Sequence, residues 1–456
     1  MYKLSVFIFR NDLRLEDNTA LIEALRCSRE VIPIFIFNKN QITEKNEYRS
    51  LNSMQFMKKC LEELNQTLIE KNSSLYMFYD RIDNVLKELR EKLKIEAVYI
   101  NEDYTPFARK RDHLIQKFCE ENNIELNKYQ DKLLNHPKAT IKADGKPYTI
   151  FTPFYKKNVQ TPIKIPKENN FNNYFKEKIQ SSIETFPEEF NACSNPNLLV
   201  KGGRKEALEL IEKIRKISDY DLQRNFPSIK GTSHLSAHLK FGTISPREAL
   251  YFIKEIFDNE HPLIRQLYWR DFWYSIAYHF PYVFQSSFNK KYDKIKWENN
   301  SENFSKWCEG RTGFPIVDAG MRELNETGYM HNRVRMIVSS FLVKDLHIDW
   351  RLGEKYFASK LTDYDPCLNN GNWQWAASTG CDAQPYFRIF NPWSQQKKFD
   401  EDCTYIKKWI PELSKLNSKA IHFLEEQRPL IQIEYPKPIV EHKTQSQIAK
   451  AMFKEV

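Results

Sequence analysis

Over its first 130 residues the chain alternates short apolar runs with longer stretches in which apolar side chains recur every three or four positions. The apolar runs predict strands at Leu4 to Phe9, Val31 to Phe37, Leu75 to Tyr79 and Ala97 to Asn101. The longer stretches predict helices near residues 18 to 28, 50 to 71, 82 to 94 and 106 to 121. Strands that alternate with helices in this way form a parallel sheet with helices on both faces.

The pattern changes twice further along the chain. Residues 157 to 200 are rich in Lys, Asn, Pro and Ser, which is typical of a connection that crosses the surface. Beyond Gly202-Gly203 the pattern becomes helical, since apolar side chains between Lys205 and Ser218 share one helix face. We therefore predict an α/β domain at residues 1–135, an interdomain linker at 136–199 and an all-α domain at 200–456.

Composition narrows the class of protein. A chain of 456 residues with 41% hydrophobic content can bury more than one core. Apolar runs such as Val31 to Phe37 are too short to span a membrane, and the N-terminus lacks the basic-then-apolar order of a signal peptide. We expect an intracellular protein, cytoplasmic or nuclear, with no membrane contact.

Cysteines and charge add little to this picture. The 8 cysteines are scattered without Cys-x-x-Cys spacing, so we expect reduced thiols and no metal site. The net charge of +9 suits a polyanionic partner but is equally common in ordinary basic proteins.

Glycine is missing where a nucleotide-binding α/β domain needs it. No glycine precedes Gly145, and the first strand runs into Arg10-Asn11-Asp12-Leu13-Arg14. A dinucleotide fingerprint needs Gly-x-Gly-x-x-Gly at that turn, and a phosphate-binding P-loop needs glycines too. The α/β domain is thus Rossmann-like without the glycine fingerprint, and a nucleotide cofactor would bind elsewhere.

Hydroxyl side chains cluster at a predicted helix start between Gly231 and Gly242, namely Thr232, Ser233 and Ser236. Hydroxyls and free backbone N–H groups at a helix N-terminus can bind phosphate oxygens, aided by the helix dipole. The alternative is an ordinary Ser/Thr helix cap.

A second chemical candidate is the helix from Met330 to Met336. Asn332 and Met336 are four residues apart and share a face, where they can present an amide and a thioether to a planar ligand. Arg335 can pair with a carboxylate such as Asp363 or Asp365. The alternative is that Met336 belongs to the core and the arginines are solvated.

The segment Asn369 to Trp375 combines two tryptophans with four amides and a glycine, a composition unsuited to a core. All 9 tryptophans lie between residues 269 and 409. They are Trp269, Trp273, Trp297, Trp307, Trp350, Trp373, Trp375, Trp393 and Trp409. Indole chemistry is therefore concentrated in one region.

Taken together, these segments resemble the photolyase and cryptochrome family, most closely its class I cyclobutane-dimer photolyases. The matching motifs are Phe9 to Arg14 with Asp17-Asn18, Thr312 to Arg322, Asn332 to Met336, Phe341 to Leu346, Asp349 to Arg351, Asn369 to Ser378, Tyr386 to Pro392 and Tyr435 to His442. The resemblance implies an N-terminal α/β antenna domain and an all-α C-terminal domain that binds FAD and DNA lesions.

The resemblance also implies a set of FAD contacts. The ribityl and phosphate portion would contact Tyr220, Thr232, Ser233, Leu235 and Ser236, with help from Arg270. The isoalloxazine ring would be surrounded by Asn332, Arg335, Asp363, Asp365 and Asn369. Asn369 would face the reactive nitrogen N5, where a neutral amide suits the reduced flavin used for repair. An antenna chromophore is left open: a deazaflavin, a folate, another flavin or none.

The implied activity is light-driven repair of cyclobutane pyrimidine dimers in UV-damaged DNA, by electron transfer from reduced FAD to a flipped-out dimer. The implied lesion pocket comprises Arg224, Gln266, Trp269, Asn332, Met336 and Trp375. Gln266 departs from the pattern, because class I enzymes usually carry a glutamate there and glutamine cannot ionise. Glutamine is typical of six-four photolyases, which however use a histidine pair where this chain has Asn332 and Met336. We expect the cyclobutane dimer as substrate, split more slowly than by a glutamate enzyme.

Trp373, Trp350 and Trp297 match the family's electron-transfer chain from the surface to the flavin, although each alone could fill a core. A cryptochrome-type photoreceptor is the main alternative function. Asn369 argues against it, since animal and plant cryptochromes commonly place Cys or Asp there. A general flavin oxidoreductase lacks support, because the Rossmann glycines are missing. A monomer is the family's usual state and is expected here.

Overall fold

The computed structural model describes residues 1–217, 219–427 and 433–456. Its contacts divide the chain into two compact units. The first unit comprises Met1–Asn195, Val200–Lys216 and Ser233–Pro281, and the second comprises Pro196–Leu199, Ile217–Thr232 and Tyr282–Val456. This division differs from the three segments predicted from sequence, because nearly all of the predicted linker 136–199 packs within the first unit.

A five-stranded parallel sheet forms the centre of the first unit. Its strands are β1 (Tyr2–Phe9), β2 (Ser28–Ile36), β3 (Tyr76–Phe78), β4 (Ala97–Asn101) and β5 (Glu125–Tyr129). They lie in the order β3-β2-β1-β4-β5, and all neighbouring pairs are parallel. The predicted α/β fold is confirmed, and β5 is the strand that the sequence analysis missed.

Helices cover both faces of this sheet. They are α1 (Thr19–Cys27), α2 (Lys39–Ile42), α3 (Leu51–Glu70), α4 (Ile82–Leu93) and α5 (Pro106–Glu121). Alternate strand residues point to opposite faces. Phe7 and Phe9 pack in a core with α1 and α3, whereas Val6 and Ile8 pack in a second core with α4 and α5. The unbroken apolar strands are therefore explained by burial on both sides.

The rest of the first unit is helical. Its helices are α6 (Phe151–Asn158), α7 (Arg204–Lys213), α9 (Ser236–Phe241), α10 (Pro246–Ile256) and α11 (Pro262–His279). The helix predicted at Lys205 to Ser218 is found as α7 followed by a 3₁₀ turn at Ile214–Lys216, and Ser218 lies outside the described residues. Further 3₁₀ turns occupy Pro137–Ala139 and Glu188–Phe190.

A buried ion network explains the charged N-terminal motif. Arg14 and Arg247 each place a guanidinium nitrogen 2.6 Å from a different oxygen of Asp131. Arg247 also contacts Asp17 at 2.9 Å. Burial opposes ionisation of Asp131, but the two guanidinium groups outweigh it and lower the pKa of this carboxyl well below its usual range. The motif therefore has a structural role in this unit.

The second unit is formed by helices around one core. They are α8 (Tyr220–Gln223), α12 (Ser301–Glu309), α13 (Pro315–Thr327), α14 (Asn332–Lys344), α15 (Trp350–Lys360), α16 (Pro366–Ala377), α17 (Pro392–Phe399), α18 (Thr404–Trp409), α19 (Ser418–His422), α20 (Leu424–Gln427) and α21 (His442–Lys454). Further 3₁₀ turns occupy Pro281–Phe284, Lys290–Lys294 and Pro411–Leu413. The described residues contain no helix with the length and apolar character that a membrane crossing requires.

Candidate functional site

Helix α16 contains the segment from Asn369 to Trp375, in which some side chains are buried and others are partly or fully exposed. Asn369 is 9% exposed, and its amide nitrogen donates to the backbone oxygen of Glu354 at 3.0 Å and to its Oε1 at 3.1 Å. These two bonds use both amide hydrogens. The carbonyl oxygen is therefore the group that Asn369 can offer to a ligand, as an acceptor.

Two other amides of this helix are structural, which the sequence did not reveal. Asn370 and Gln374 both donate to the backbone oxygen of Val283 at 3.0 Å. Gln374 in turn accepts from the backbone N–H of Phe288 at 2.7 Å. Both side chains are buried, so their bonds fix the segment that follows Pro281 against α16.

The ion pair expected on α14 forms with one of its two candidate partners. Arg335 contacts both carboxylate oxygens of Asp363, at 3.0 and 3.2 Å, and donates through Nε to the backbone oxygen of Met330. Burial alone would lower the pKa of Arg335, but the Asp363 carboxylate raises it, so the guanidinium stays charged. Asp365 instead caps α16, accepting from the N–H groups of Cys367 and Leu368.

Asn332 and Met336 share a face of α14, as their spacing predicts. Asn332 is exposed and Met336 is half-buried, with the Asn332 amide nitrogen 3.8 Å from the Met336 sulfur. The alternative that Met336 is a core residue therefore does not describe this side chain. Trp375 on α16 is also half-buried, which leaves part of its ring accessible.

Two arginines of the second unit lie close enough to repel each other. Burial lowers the pKa of Arg333, and the nearby charge of Arg224 lowers it further. Arg333 is held by a 2.6 Å bond to the Asn225 oxygen and by the ring of Phe399, 4.3 Å from its guanidinium carbon. Like charges fixed together favour an anion between or beside them. The sequence analysis assigned a role to Arg224 but missed Arg333.

The three tryptophans of the expected electron-transfer chain all belong to the core of the second unit or pack against it. Trp373 and Trp350 are buried, and Trp297 is half-buried. Helices α15 and α16 approach closely at Gly353, where a Cβ atom would lie 2.2 Å from Cη2 of Trp373. A glycine is therefore required for the indole of Trp373 to pack against the helix that begins with Trp350.

Tyr220 and Thr232 are the expected ribityl and phosphate contacts that lie in the second unit. Tyr220 is 8% exposed at the start of the short helix α8, with the guanidinium of Arg224 over its ring at 5.7 Å. Thr232 interacts through its side chain with the hydroxyl of Tyr329.

In the first unit, a helix starts at Ser236 as the hydroxyl cluster predicts. The residue that caps it is Leu235, with no side-chain hydrogen bond, so the ordinary Ser/Thr cap is not what the structure shows. Ser233 Oγ accepts only a 3.5 Å bond from the N–H of Leu235. The neighbouring His238 is buried, which lowers its pKa to about 4, and it hydrogen-bonds Thr243 Oγ1 at 2.8 Å.

Helix α11 carries the remaining expected residues, Gln266, Trp269 and Arg270. Gln266 is half-buried and its amide nitrogen lies 3.4 Å from the backbone oxygen of Pro262. Trp269 stacks on Phe151 of α6, with centroids 3.7 Å apart and planes 6° from parallel. Arg270 donates to the backbone oxygens of Lys132 and Leu239, at 2.7 and 3.2 Å. Its role at the cofactor stays a prediction, since these bonds already use two of its donors.

A small cavity lies at the carboxyl ends of β1, β2 and β3 in the first unit. Its lining combines apolar residues with polar and charged side chains: Ile8, Phe9, Arg10, Ile36, Asn38, Gln41, Asp80, Ile82 and Arg111. Open parallel sheets bind ligands at this edge, next to the point where the strand order reverses. In this sheet the strand order reverses between β1 and β4, and the cavity includes residues at the end of β1.

All 8 cysteines are free thiols. Within the described ranges, no group of three or more His, Cys, Asp or Glu side chains could hold a metal ion.

Comparisons with known proteins agree with this architecture. The family described as DNA photolyase matches residues 5–169, and the family described as FAD binding domain of DNA photolyase matches residues 263–455. A deoxyribodipyrimidine photo-lyase from Synechococcus is 36% identical, over 99% of this chain and 96% of its own.

Solved structures give the same result. An archaeal photolyase from Sulfolobus tokodaii, described with two FAD molecules, has a TM-score of 0.90 and 42% identity, covering 99% of this chain and 100% of its own. A cryptochrome from Synechocystis has a TM-score of 0.89 and 27% identity, covering 99% of each chain.

A parallel five-stranded sheet within the DNA photolyase match, followed by helices within the FAD-binding match, defines a protein of the photolyase and cryptochrome class. The chain belongs to the DNA photolyase family.

Proposed function

We propose that this protein repairs cyclobutane pyrimidine dimers in DNA, using light and reduced FAD. The observation that carries this proposal is the arrangement of Asn369, whose amide nitrogen is saturated by Glu354 while its carbonyl oxygen remains as an acceptor. An acceptor suits the N5–H group that a flavin carries when it is reduced. The relatives named deoxyribodipyrimidine photo-lyase support the same reaction.

The chain's own residues would hold the cofactor and keep it ready for repair. When bound, reduced FAD supplies the electron that light makes available to the lesion. Asn369 and the Arg335–Asp363 pair would bind the isoalloxazine ring, and Tyr220 and Thr232 would contact the rest of the molecule. Because Arg335 is pinned by Asp363 and by Met330, its charge is fixed before the cofactor arrives.

Recognition of the lesion would rest on aromatic walls and positive charge. Trp375 is half-buried and offers a partly accessible ring. Asn332 and Met336 of α14 present an amide and a thioether on one helix face. Flipping a dimer out of the duplex costs a few kcal/mol, and less than for an intact pair because the lesion pairs poorly. Arg224 and Arg333 would bind DNA phosphates, and the phosphate charge would relieve the repulsion between the two guanidinium groups. Because these contacts are electrostatic, DNA affinity should fall as the salt concentration rises.

Gln266 bears on which lesion is repaired. A glutamine at this position favours six-four photoproducts, and this remains the second candidate substrate. The absence of a histidine pair at Asn332 and Met336 favours the cyclobutane dimer. A cryptochrome-type receptor has the support of a structural neighbour at 27% identity, which is lower than the identity to the photolyases compared above.

A second chromophore is part of the proposal. The Sulfolobus tokodaii photolyase is described with two FAD molecules and a novel light-harvesting cofactor. In this chain the carboxyl ends of β1 to β3 are the best candidate location for such a group, because Arg10 and Arg111 offer donors beside apolar walls. We further propose that the protein acts as an intracellular monomer.

Repair assays on two lesions test the proposal. Chemically reduced protein is given oligonucleotides that carry either one cyclobutane dimer or one six-four photoproduct, under blue light and in the dark. We expect light-dependent restoration of the dimer substrate alone. Restoration of the six-four substrate alone would overturn the choice of lesion, and no restoration of either would favour the receptor.

A further inference from the structure

Trp307 is a fully buried tryptophan of α12 that lies outside the expected chain of Trp373, Trp350 and Trp297. Its ring lies edge-on to Trp373, with centroids 6.2 Å apart and planes at 71°. On another side it lies edge-on to Tyr356 of α15, with centroids 5.8 Å apart and planes at 62°. Trp373, Trp307 and Tyr356 therefore form a continuous row of aromatic rings within the second unit.

The surroundings of Trp307 favour the loss of an electron. Its indole N–H donates to the backbone oxygen of Val338 at 3.1 Å, and the negative end of that carbonyl dipole stabilises positive charge on the ring. Trp350 differs, because its buried N–H has no partner among the described residues. The hydrogen bond to Val338 therefore gives a hole on Trp307 a stabilisation that Trp350 lacks.

Tyr356 connects this row to solvent. It is half-buried, and its hydroxyl oxygen lies 2.6 Å from Asn325 Oδ1 and 3.0 Å from the backbone oxygen of Cys308, two acceptors that share its single proton. Asn325 lines an open groove of about 600 Å³, together with Glu309 and Glu326. Burial raises the pKa of the Tyr356 phenol, so the resting residue keeps its proton. An oxidised phenol, by contrast, gives up its proton readily, and Asn325 links the Tyr356 hydroxyl to the groove.

We propose that Trp307 and Tyr356 form a second electron-donating branch to Trp373, one that ends at the groove lined by Asn325. This inference rests on the proposed role of Trp373 as the residue that donates an electron to the oxidised cofactor. After that donation, Trp307 gives one electron to Trp373, and Tyr356 gives one electron to Trp307. Tyr356 loses its phenolic proton to water in the groove and becomes a neutral radical.

An external thiol then reduces the Tyr356 radical, so that the branch can donate again. The thiol transfers one hydrogen atom to the Tyr356 oxygen, which restores the phenol, and two thiyl radicals then combine into a disulfide.

Photoreduction of the oxidised holoprotein by blue light, with a thiol present, tests this branch. The variants are Trp297→Phe, Tyr356→Phe and their combination, with Trp373→Phe as the reference for a blocked route. Because parallel routes substitute for one another, the double variant should be slower than Trp297→Phe by about fivefold or more, whereas Tyr356→Phe alone should slow photoreduction by about twofold or less. Time-resolved electron paramagnetic resonance on Trp297→Phe, with ring-deuterated tyrosine, should show a tyrosyl radical that Tyr356→Phe removes.

Tyr282→Phe is the matched control, because this half-buried tyrosine also donates to a backbone oxygen, that of Phe288, and its ring stacks on Phe288 with centroids 6.5 Å apart. It should leave the rate and the radical signal unchanged. Equal rates for Trp297→Phe and the double variant, or no tyrosyl radical, would overturn the branch. Full photoreduction in Trp373→Phe would instead overturn the donor role on which the branch rests.

Discussion

Gly353 is the position at which the geometry of Trp373 can be tested by one methyl group. A Cβ atom at residue 353 would lie 2.2 Å from Cη2 and 2.6 Å from Cζ3 of Trp373, and 2.5 Å from Cδ2 of Leu342. Carbon atoms in contact are normally about 3.5–4.0 Å apart, so α15 and α16 must separate or the indole must leave its rotamer. Overpacking of this kind costs about 1–3 kcal/mol, and the better helix propensity of alanine offsets at most about 1 kcal/mol. We expect Gly353→Ala to lower the free energy of unfolding by about 2 kcal/mol.

A double-mutant cycle with Trp373→Phe isolates the contact. Phenylalanine lacks Cη2 and Cζ3 of the indole, so the added methyl group no longer meets them. The double variant should therefore be about 1–2 kcal/mol more stable than the sum of the two single effects predicts. The assay is urea unfolding of the three variants. Gly320→Ala, whose Cβ would meet Val334 Cγ1 at 2.3 Å, is the control and should add independently to Trp373→Phe. Additivity within about 0.5 kcal/mol for the Gly353 cycle would refute the reasoning.

Four further predictions concern electron supply, the lesion, the ion network and pH. Trp373→Phe should suppress photoreduction of oxidised flavin while sparing repair by protein that is already reduced; unchanged photoreduction would remove the assignment. Gln266→Glu should leave dimer repair intact or improve it, and a collapse of repair yield would argue against this placement of the residue. Asp131→Asn should destabilise the protein by about 3 kcal/mol in urea unfolding, because two buried guanidinium groups lose their shared partner; a change below about 1 kcal/mol would contradict this. Burial raises the pKa of Asp271 to about 7, so the folded state holds a proton that the unfolded state has lost above about pH 4, and stability should fall as pH rises through this window. Asp271→Asn should therefore be more stable relative to the native protein at about pH 8 than at about pH 5.5, and the same difference at both would count against the buried carboxyl.

The fold was largely predictable because its signals are local. Buried parallel strands such as β1 and β2 are unbroken apolar runs, and four predicted helices match α1, α3, α4 and α5 within a few residues. Strand β5 was missed because Glu-Leu-Asn-Lys-Tyr has one strongly apolar residue and is exposed or half-buried at the edge of the sheet. Edge strands carry a weak pattern, since only part of their surface is buried.

The sequence predicted one shared helix face and one ion pair of the proposed site, but not how the other polar groups are used. The spacing of Asn332 and Met336 placed them correctly on one helix face. From the sequence alone, Asp363 and Asp365 were equally suitable ion-pair partners for Arg335. The fold shows that Arg335 pairs with Asp363, whereas Asp365 caps α16. Nothing in the local sequence distinguishes the structural amides Asn370 and Gln374 from Asn369, because their partner is Val283, more than eighty residues away.

Single-flash repair most directly tests the claim that the protein is a dimer photolyase. Reduced protein is saturated with DNA that carries one cyclobutane dimer, a single blue flash is given, and the restored pyrimidines are counted against the photons absorbed. We predict that the number of restored pyrimidines rises in proportion to the absorbed light. An unilluminated sample should show no restoration, and Asn369→Asp should restore clearly fewer pyrimidines per absorbed photon. Dimers that stay intact under flashes that the flavin demonstrably absorbs would contradict the account.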